Sequence, residues 1–271
     1  MNTTAAEQSL RDGDPAAALR LLQEQVRAHP ANAKLRTFLF QLLSVLGQWE
    51  RATQQLDVAA SLDVSALAMA QTYRSAVTCE VLRQQVFEGK KAPMVLGEPE
   101  QWLALLIESM LRRGRGERGA ASALYEQAFE QAPECRGTLD GKPFAWIADA
   151  DSRLGPVLEA IINGRYYWLP FTRITRAVIE APADLRDFVW MPAHLAFENG
   201  GESVALIPTR YPGSESSEDA QILLSRKTVW QEPEPEFYHG LGQRLLTTDQ
   251  GEHALMDVRE IVMGGPTQTS E

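Results

Sequence analysis

Cysteine is scarce in this chain: Cys79 and Cys135 are the only two in 271 residues. They lie far apart and in no Cys-x-x-Cys pair, which fits reduced thiols in a cytosolic protein rather than a disulfide scaffold. Histidine is almost as rare. None of His29, His194, His239 and His253 is spaced with another histidine or a cysteine as metal ligands are. Long apolar runs are missing as well, and nothing approaches the roughly 18 residues of a membrane span. Positive charge is in deficit: 26 Lys and Arg face 36 Asp and Glu, a net charge of −10, which argues against a duplex-binding surface. The one dense basic run, Arg112-Arg113-Gly114-Arg115 with Arg118, is explained by the preference of cations for helix C-termini. The opening segment MNTTAAEQSLRDGD lacks a basic stretch followed by an apolar one, so no secretory leader is expected. No GxxxxGK[ST], GxSxG or HExxH motif occurs.

What the chain does have is repetition. GDPAAALRLLQEQVRAHP (13–30) and GQWERATQQLDVAASLD (47–63) align at an offset of 34, matching Gly13 to Gly47, Ala18 to Ala52, Leu22 to Leu56 and Val26 to Ala60. A third unit, 116–133, matches Gly116, Ala121, Tyr125, Phe129 and Pro133 to Gly13, Ala18, Leu22, Val26 and Pro30 at an offset of 103, three periods plus one residue. A 34-residue period is the tetratricopeptide spacing. The small alanine lets two helices approach, the larger residue four positions on fills the next turn, and Pro30 and Pro133 stop the second helix of each pair. First-helix candidates lie between the units, at 32–46, 65–88 and 99–113. GKKAPMVLGEP (89–99) reads as a loop that interrupts the array.

From about Lys142 the pattern changes to short β-rich runs separated by turn residues. The clearest signal is VLEAII (157–162), Asn163-Gly164, then RYYWLP (165–170), a sequence suited to a type I′ hairpin. Alternation places Tyr166 and Trp168 on one face and Arg165, Tyr167 and Leu169 on the other. Further strands are expected at 174–180, 188–192, 203–208, 222–230 and 254–263. The fold class is therefore α+β: a tetratricopeptide-like helical domain over 1–138, then a small, mainly antiparallel β domain over 139–271, as a barrel or a rolled sheet.

Polar candidates are few. Asp149 and Asp151 lie two apart in ADAD, a spacing that on a strand puts both carboxylates on one face for a cation or an acid/base pair, although structural hydrogen bonding explains it more simply. Arg186 and Asp187 are further polar groups for such a pocket. GLGQR (240–244) is a weak phosphate signal. RYPGSE (210–215) reads as a mobile loop, with recognition as its functional reading. No cofactor or metal is implied.

The motifs FAWIADADSRLGPVLEAI (144–161), GRYYWLPF (164–171), LRDFVWMPA (185–193), LIPTRYPGSE (206–215), TVW (228–230), YHGLGQR (238–244) and TDQGEHALMDVR (248–259) together resemble the ImpE family, the TagJ-type accessory proteins of type VI secretion systems. The resemblance spans essentially the whole chain. It implies a non-enzymatic cytoplasmic adaptor that binds the small subunit of the contractile sheath and is associated with sheath recycling by a ClpV-type AAA+ ATPase. Neither nucleic-acid binding nor membrane insertion is expected. The alternative is an enzyme with a polar pocket around Asp149 and Asp151.

The expected binding surface follows from the repeat frame, in which the first helix of each pair faces the concave side. On helix 32–46 this selects Lys34, Thr37, Gln41 and Ser44, with Leu35, Leu39 and Leu43 left for packing. Helix 99–113 adds Trp102, Leu103 and Leu106, more apolar surface than one buried stripe requires. An exposed aromatic beside aliphatics would anchor a helical segment of the sheath subunit.

Overall fold

The structure, a computed structural model, describes residues 4–264. Residues 1–3 of the opening segment and residues 265–271 of the β-rich half lie outside it. The helices run in antiparallel pairs: α1 (Ala5–Arg11) with α2 (Pro15–Ala28), α3 (Ala33–Val45) with α4 (Trp49–Leu62), then α5 (Leu67–Phe87), and α6 (Gln101–Gly114) with α7 (Arg118–Gln131). The first three starts are chemically marked. Thr4 and Glu7 form a reciprocal capping box on α1, Asp14 caps α2 with Pro15 in its first turn, and Asn32 accepts from two amides of α3. The repeat alanines Ala18, Ala52 and Ala121 are buried at helix contacts, as are Leu22 and Leu56.

The strands are β1 (Met94–Val95), β2 (Gly137–Leu139), β3 (Lys142–Phe144), β4 (Ile147–Asp149), β5 (Val157–Ile162), β6 (Arg165–Pro170), β7 (Ile174–Ile179), β8 (Trp190–Phe197), β9 (Glu202–Pro208), β10 (Thr228–Glu234), β11 (Phe237–Gly242), β12 (Leu245–Thr248), β13 (Gly251–Ala254) and β14 (Glu260–Met263). Nine of them form one open sheet in the order β1-β6-β5-β9-β8-β7-β14-β2-β3. It is antiparallel except for the β1–β6 pair. Among the described residues the sheet is open, with β1 and β3 as its outermost strands. β13, β12 and β4 form a small second sheet, and β10 and β11 a hairpin.

Three segments depart from the sequence expectation, the first being the 254–263 run, in which Ala254 ends β13, a turn follows and β14 begins only at Glu260. The 89–99 connection contributes β1, an edge strand, so a loop of the helical half is stitched into the sheet. The 222–230 run begins as the end of a short helix, α8 (Ala220–Leu223), and becomes a strand only at Thr228. Asp219 caps that helix through Gln221 N–H, a start signal that outweighs the β propensity of the residues after it.

The hairpin of β5 and β6 forms as the sequence predicts. Asn163 and Gly164 carry φ of +49° and +71°, the left-handed pair that a type I′ turn needs. Ile162 then pairs with Arg165. Tyr166 and Trp168 point to the helix side and are fully buried there, while Leu169 and Tyr167 join the core on the opposite face. One apolar core lies between the helices and the sheet, and a second between the sheet and the β4–β12 layer. The aromatic run is therefore the inside of the sheet. Trp190 of β8 packs on Tyr73 and Trp49, with ring centroids 5.7 and 6.0 Å away, and so joins the sheet to α5 and the start of α4.

Candidate functional site

Where α5 meets β5, charged side chains enter the core in number. Glu159 projects from β5 toward the helices and receives Arg83 of α5 on both carboxylate oxygens, at 2.7 and 3.0 Å. It also accepts from Arg244 and the Tyr166 hydroxyl. Arg244 donates in addition to Asp149 Oδ2 at 2.6 Å and to the Pro208 carbonyl at 3.0 Å. Asp149 Oδ1 accepts from Asp151 N–H and Tyr211 O–H, while Asp151 takes Arg153 at 2.8 and 2.5 Å and Gly240 N–H at 2.9 Å. Glu80 accepts the indole N–H of Trp190.

Burial is the largest influence on Glu159 and acts to raise it, but Arg244 and Arg83 together hold its pKa down at about 2. For Asp149 burial prevails over the pull of Arg244, and the carboxyl rises to about 7. Each of the three carboxylates Asp149, Asp151 and Glu159 is fully buried and accepts on both oxygens from groups of the chain itself. The pair read from ADAD is thus part of a closed structural network. Arg186 and Asp187 do not join it. Arg186 pairs with Asp184 at 2.6 Å, and Asp187 accepts from Ala183 and Asp184 N–H.

GLGQR is explained by packing. A Cβ at Gly240 would lie 2.1 Å from the Tyr211 ring, and one at Gly242 would lie 1.8 Å from the Lys227 carbonyl. The 210–215 segment is held against the protein, with Arg210, Tyr211 and Ser214 all buried. Arg210 caps the C-terminal end of α3 by donating to Ser44 and Val45 carbonyls at 3.0 and 2.6 Å, and reaches Leu223 O at 2.9 Å. Arg226 does the same for α1, donating to Leu10 and Arg11 carbonyls. Among the described residues no cluster of three or more His, Cys, Asp or Glu is placed to hold a metal, and no helix is long and apolar enough to cross a membrane.

An open concavity lies elsewhere. A groove of about 810 Å³ runs between α1, α3, the start of α5's lead-in turn and the 182–188 segment that precedes β8. Its floor is apolar, made by Leu35 and Phe38 of α3 with Leu185 and Phe188 opposite. Lys34, Thr37 and Gln41 are among its lining residues, Gln41 being buried.

The other four candidates have different surroundings. Ser44 is fully buried, bonds the Phe40 carbonyl at 2.9 Å, and lies under Arg210. The exposure expected of Trp102, Leu103 and Leu106 is not found: all three belong to the core shared by the helices and sheet. The Trp102 indole N–H is bonded to Glu100 at 2.9 Å. α6 needs a wide apolar face because α7 packs on it and the core shared with the sheet takes up the rest of that face.

The sequence reading missed Glu7 and Arg11 of α1, the Leu185 and Phe188 wall, and Arg226. The Thr4–Glu7 capping pattern was the available signal for α1. The wall comes from a segment about 150 residues away, which no local pattern reveals.

The fold and groove define a tetratricopeptide-type scaffold with a sheet docked against it. The model for "ImpE protein" matches residues 141–262, and a tetratricopeptide repeat model matches residues 9–72. The chain is 52% identical to the "Type VI secretion system accessory component TagJ" of Pseudomonas aeruginosa over 94% of its own length and 90% of that protein. It also resembles the crystal structure of protein VPA1032 from Vibrio parahaemolyticus, with a TM-score of 0.86 and 27% identity over 96% of this chain and 97% of that one. The chain belongs to the ImpE/TagJ family of type VI secretion accessory components.

Proposed function

We propose that this protein is a non-enzymatic cytoplasmic adaptor of a type VI secretion system that binds the small subunit of the contractile sheath and modulates sheath handling or recycling together with a ClpV-type ATPase. The observation that carries this reading is the groove between α1, α3 and the 182–188 wall. It combines an apolar floor with an accessible polar rim, which is the form of a surface that takes up a protein segment. Family membership supports the secretion-system setting. The internal pairing of Asp149, Asp151 and Glu159 supports a scaffold over an enzyme, since an acid/base site needs a carboxylate oxygen facing a substrate. The two units, 1–138 and 139–271, divide the labour in this reading: the repeats supply one wall of the groove and the β-rich half the other.

The experiment is co-purification of the small sheath subunit with the full chain and with Ala183→Trp. Ala183 is exposed and lines the groove, so the indole fills the concavity without entering the core. Capture by the parent chain and loss in the variant are expected. Equal capture by both would remove the groove from the account.

A further inference from the structure

The 209–226 connection, which leaves β9 and runs through α8, bonds to all three walls of the groove. Two of its arginines end helices. Arg226 donates to the Leu10 and Arg11 carbonyls of α1, and Arg210 to the Ser44 and Val45 carbonyls of α3. These carbonyls occupy equivalent positions in the 34-residue repeat. So do Gly13 and Gly47, which turn the chain beyond each helix, and the same connection packs on both. A Cβ at Gly13 would lie 3.1 Å from Gln221 Nε2, and one at Gly47 would lie 2.7 Å from Glu215 Cβ. The third wall is held by its own carbonyls. Thr209 O–H donates to Asp187 O at 2.6 Å and Ser225 O–H to Phe188 O at 2.7 Å. Ser225 has a φ of +53°, a conformation that a serine keeps where its surroundings fix it, and the Gln243 side-chain amide holds its carbonyl at 2.9 Å.

In a repeat array, the spacing of successive units is ordinarily set by contact between neighbours. Here a segment distant in sequence bonds to two successive first helices at equivalent carbonyls and ties them to the wall opposite. We infer that the 209–226 connection is a clasp that preforms the groove: Thr209, Arg210, Ser225 and Arg226 are positioning residues that fix α1, α3 and the 182–188 wall relative to one another. Thr209, Arg210 and Ser225 are buried and do not line the groove, so they act on it through its walls. The consequence for binding rests on the groove reading above. A site formed in advance needs less ordering when its partner arrives, so affinity depends on residues that the partner never touches.

The test compares the full chain with Thr209→Val, Thr209→Ser, Ser225→Ala and Arg226→Met, first by amide hydrogen exchange without a partner. Valine keeps the shape of threonine without its hydroxyl, serine keeps the hydroxyl, and methionine keeps the arginine stem without its donors. Thr209→Val and Ser225→Ala are expected to speed exchange over residues 183–189 about fivefold, the worth of one lost hydrogen bond. Thr209→Ser should match the parent, and Arg226→Met should loosen α1 alone. Exchange in α7, to which the clasp makes no hydrogen bond among the described residues, should not change. A wall that exchanges at the parent rate, or a rise that is equal in α7, overturns the inference. Calorimetric titration of the small sheath subunit follows. Thr209→Val is expected to bind about fivefold more weakly, with Thr209→Ser at parent strength. Parent affinity in Thr209→Val beside a loss in Ala183→Trp keeps the groove and overturns the clasp's part in it. Parent affinity in Ala183→Trp removes the groove reading, and the exchange rates alone then decide whether the clasp positions the walls.

Discussion

Two polar regions of this molecule differ in how completely their charges are used. At the α5–β5 contact, Glu159, Asp149 and Asp151 face Arg83, Arg244 and Arg153 with no solvent and no unassigned carboxylate oxygen. In the groove, Glu7, Asp63, Arg11 and Lys34 are exposed charges in reach of solvent. A buried charge without a partner is costly, so the first region has to be self-contained and serves to fix how helices and sheet dock. An exposed charge costs little to leave unpaired, so the second region is free to be selected for what it meets.

The contrast is broken most severely by Arg244→Met, which leaves Asp149 without its arginine and Glu159 with Arg83 as its remaining arginine beside the Tyr166 hydroxyl. A loss of about 3–5 kcal/mol in urea unfolding is expected. Ala18→Trp and Ala121→Trp force an indole into a closed helix contact and are expected to cost about 1–3 kcal/mol or more in the same measurement. Gly114→Ala tests a different close approach. Alanine ordinarily favours a helix by about 1 kcal/mol over glycine, yet here its Cβ would stand 2.5 Å from the Glu88 carbonyl, so destabilisation is expected.

The network also predicts a pH signature. Asp149, raised to about 7 by burial, contributes stability that is full below its unfolded value near 3.8 and is lost as pH rises through 7. Glu159, held at about 2 against the effect of burial by Arg244 and Arg83, contributes in the other sense, with stability present above 4.5 and lost as pH falls through 2. Asp149→Asn should therefore flatten the decline between about pH 4 and 7 while leaving the acid limb in place, as read from urea midpoints across that range. The smallest effect on stability belongs to Lys34→Glu with Arg11→Glu, within about 0.5 kcal/mol because both side chains are exposed.

Much of this architecture is legible in the sequence where structure is local. The 34-residue spacing fixes which alanines and leucines are buried, and Asn163-Gly164 fixes the β5–β6 hairpin and the inward face of Tyr166 and Trp168. The repeat frame puts Lys34, Thr37 and Gln41 on one face of α3, and all three line the groove. What was not legible depends on long-range packing. Trp102, Leu103 and Leu106 look like a surplus of apolar surface until the core shared with the sheet is seen to take them. Ser44 is polar by type but lies beneath Arg210, whose reach to the end of α3 spans 166 positions of sequence. The 210–215 segment has loop chemistry and is nevertheless pinned, because its arginine finds helix carbonyls rather than solvent. The opposite wall of the groove, Leu185 and Phe188, faces α3 only through the tertiary fold.

The most direct test of the adaptor account is a calorimetric titration of the small sheath subunit into the full chain and into Ala183→Trp, with the melting temperature of each recorded beforehand. The account predicts equal melting, measurable heat of binding for the parent chain, and at least a tenfold loss of affinity in the variant. Binding of equal strength to a variant whose groove is filled would contradict it.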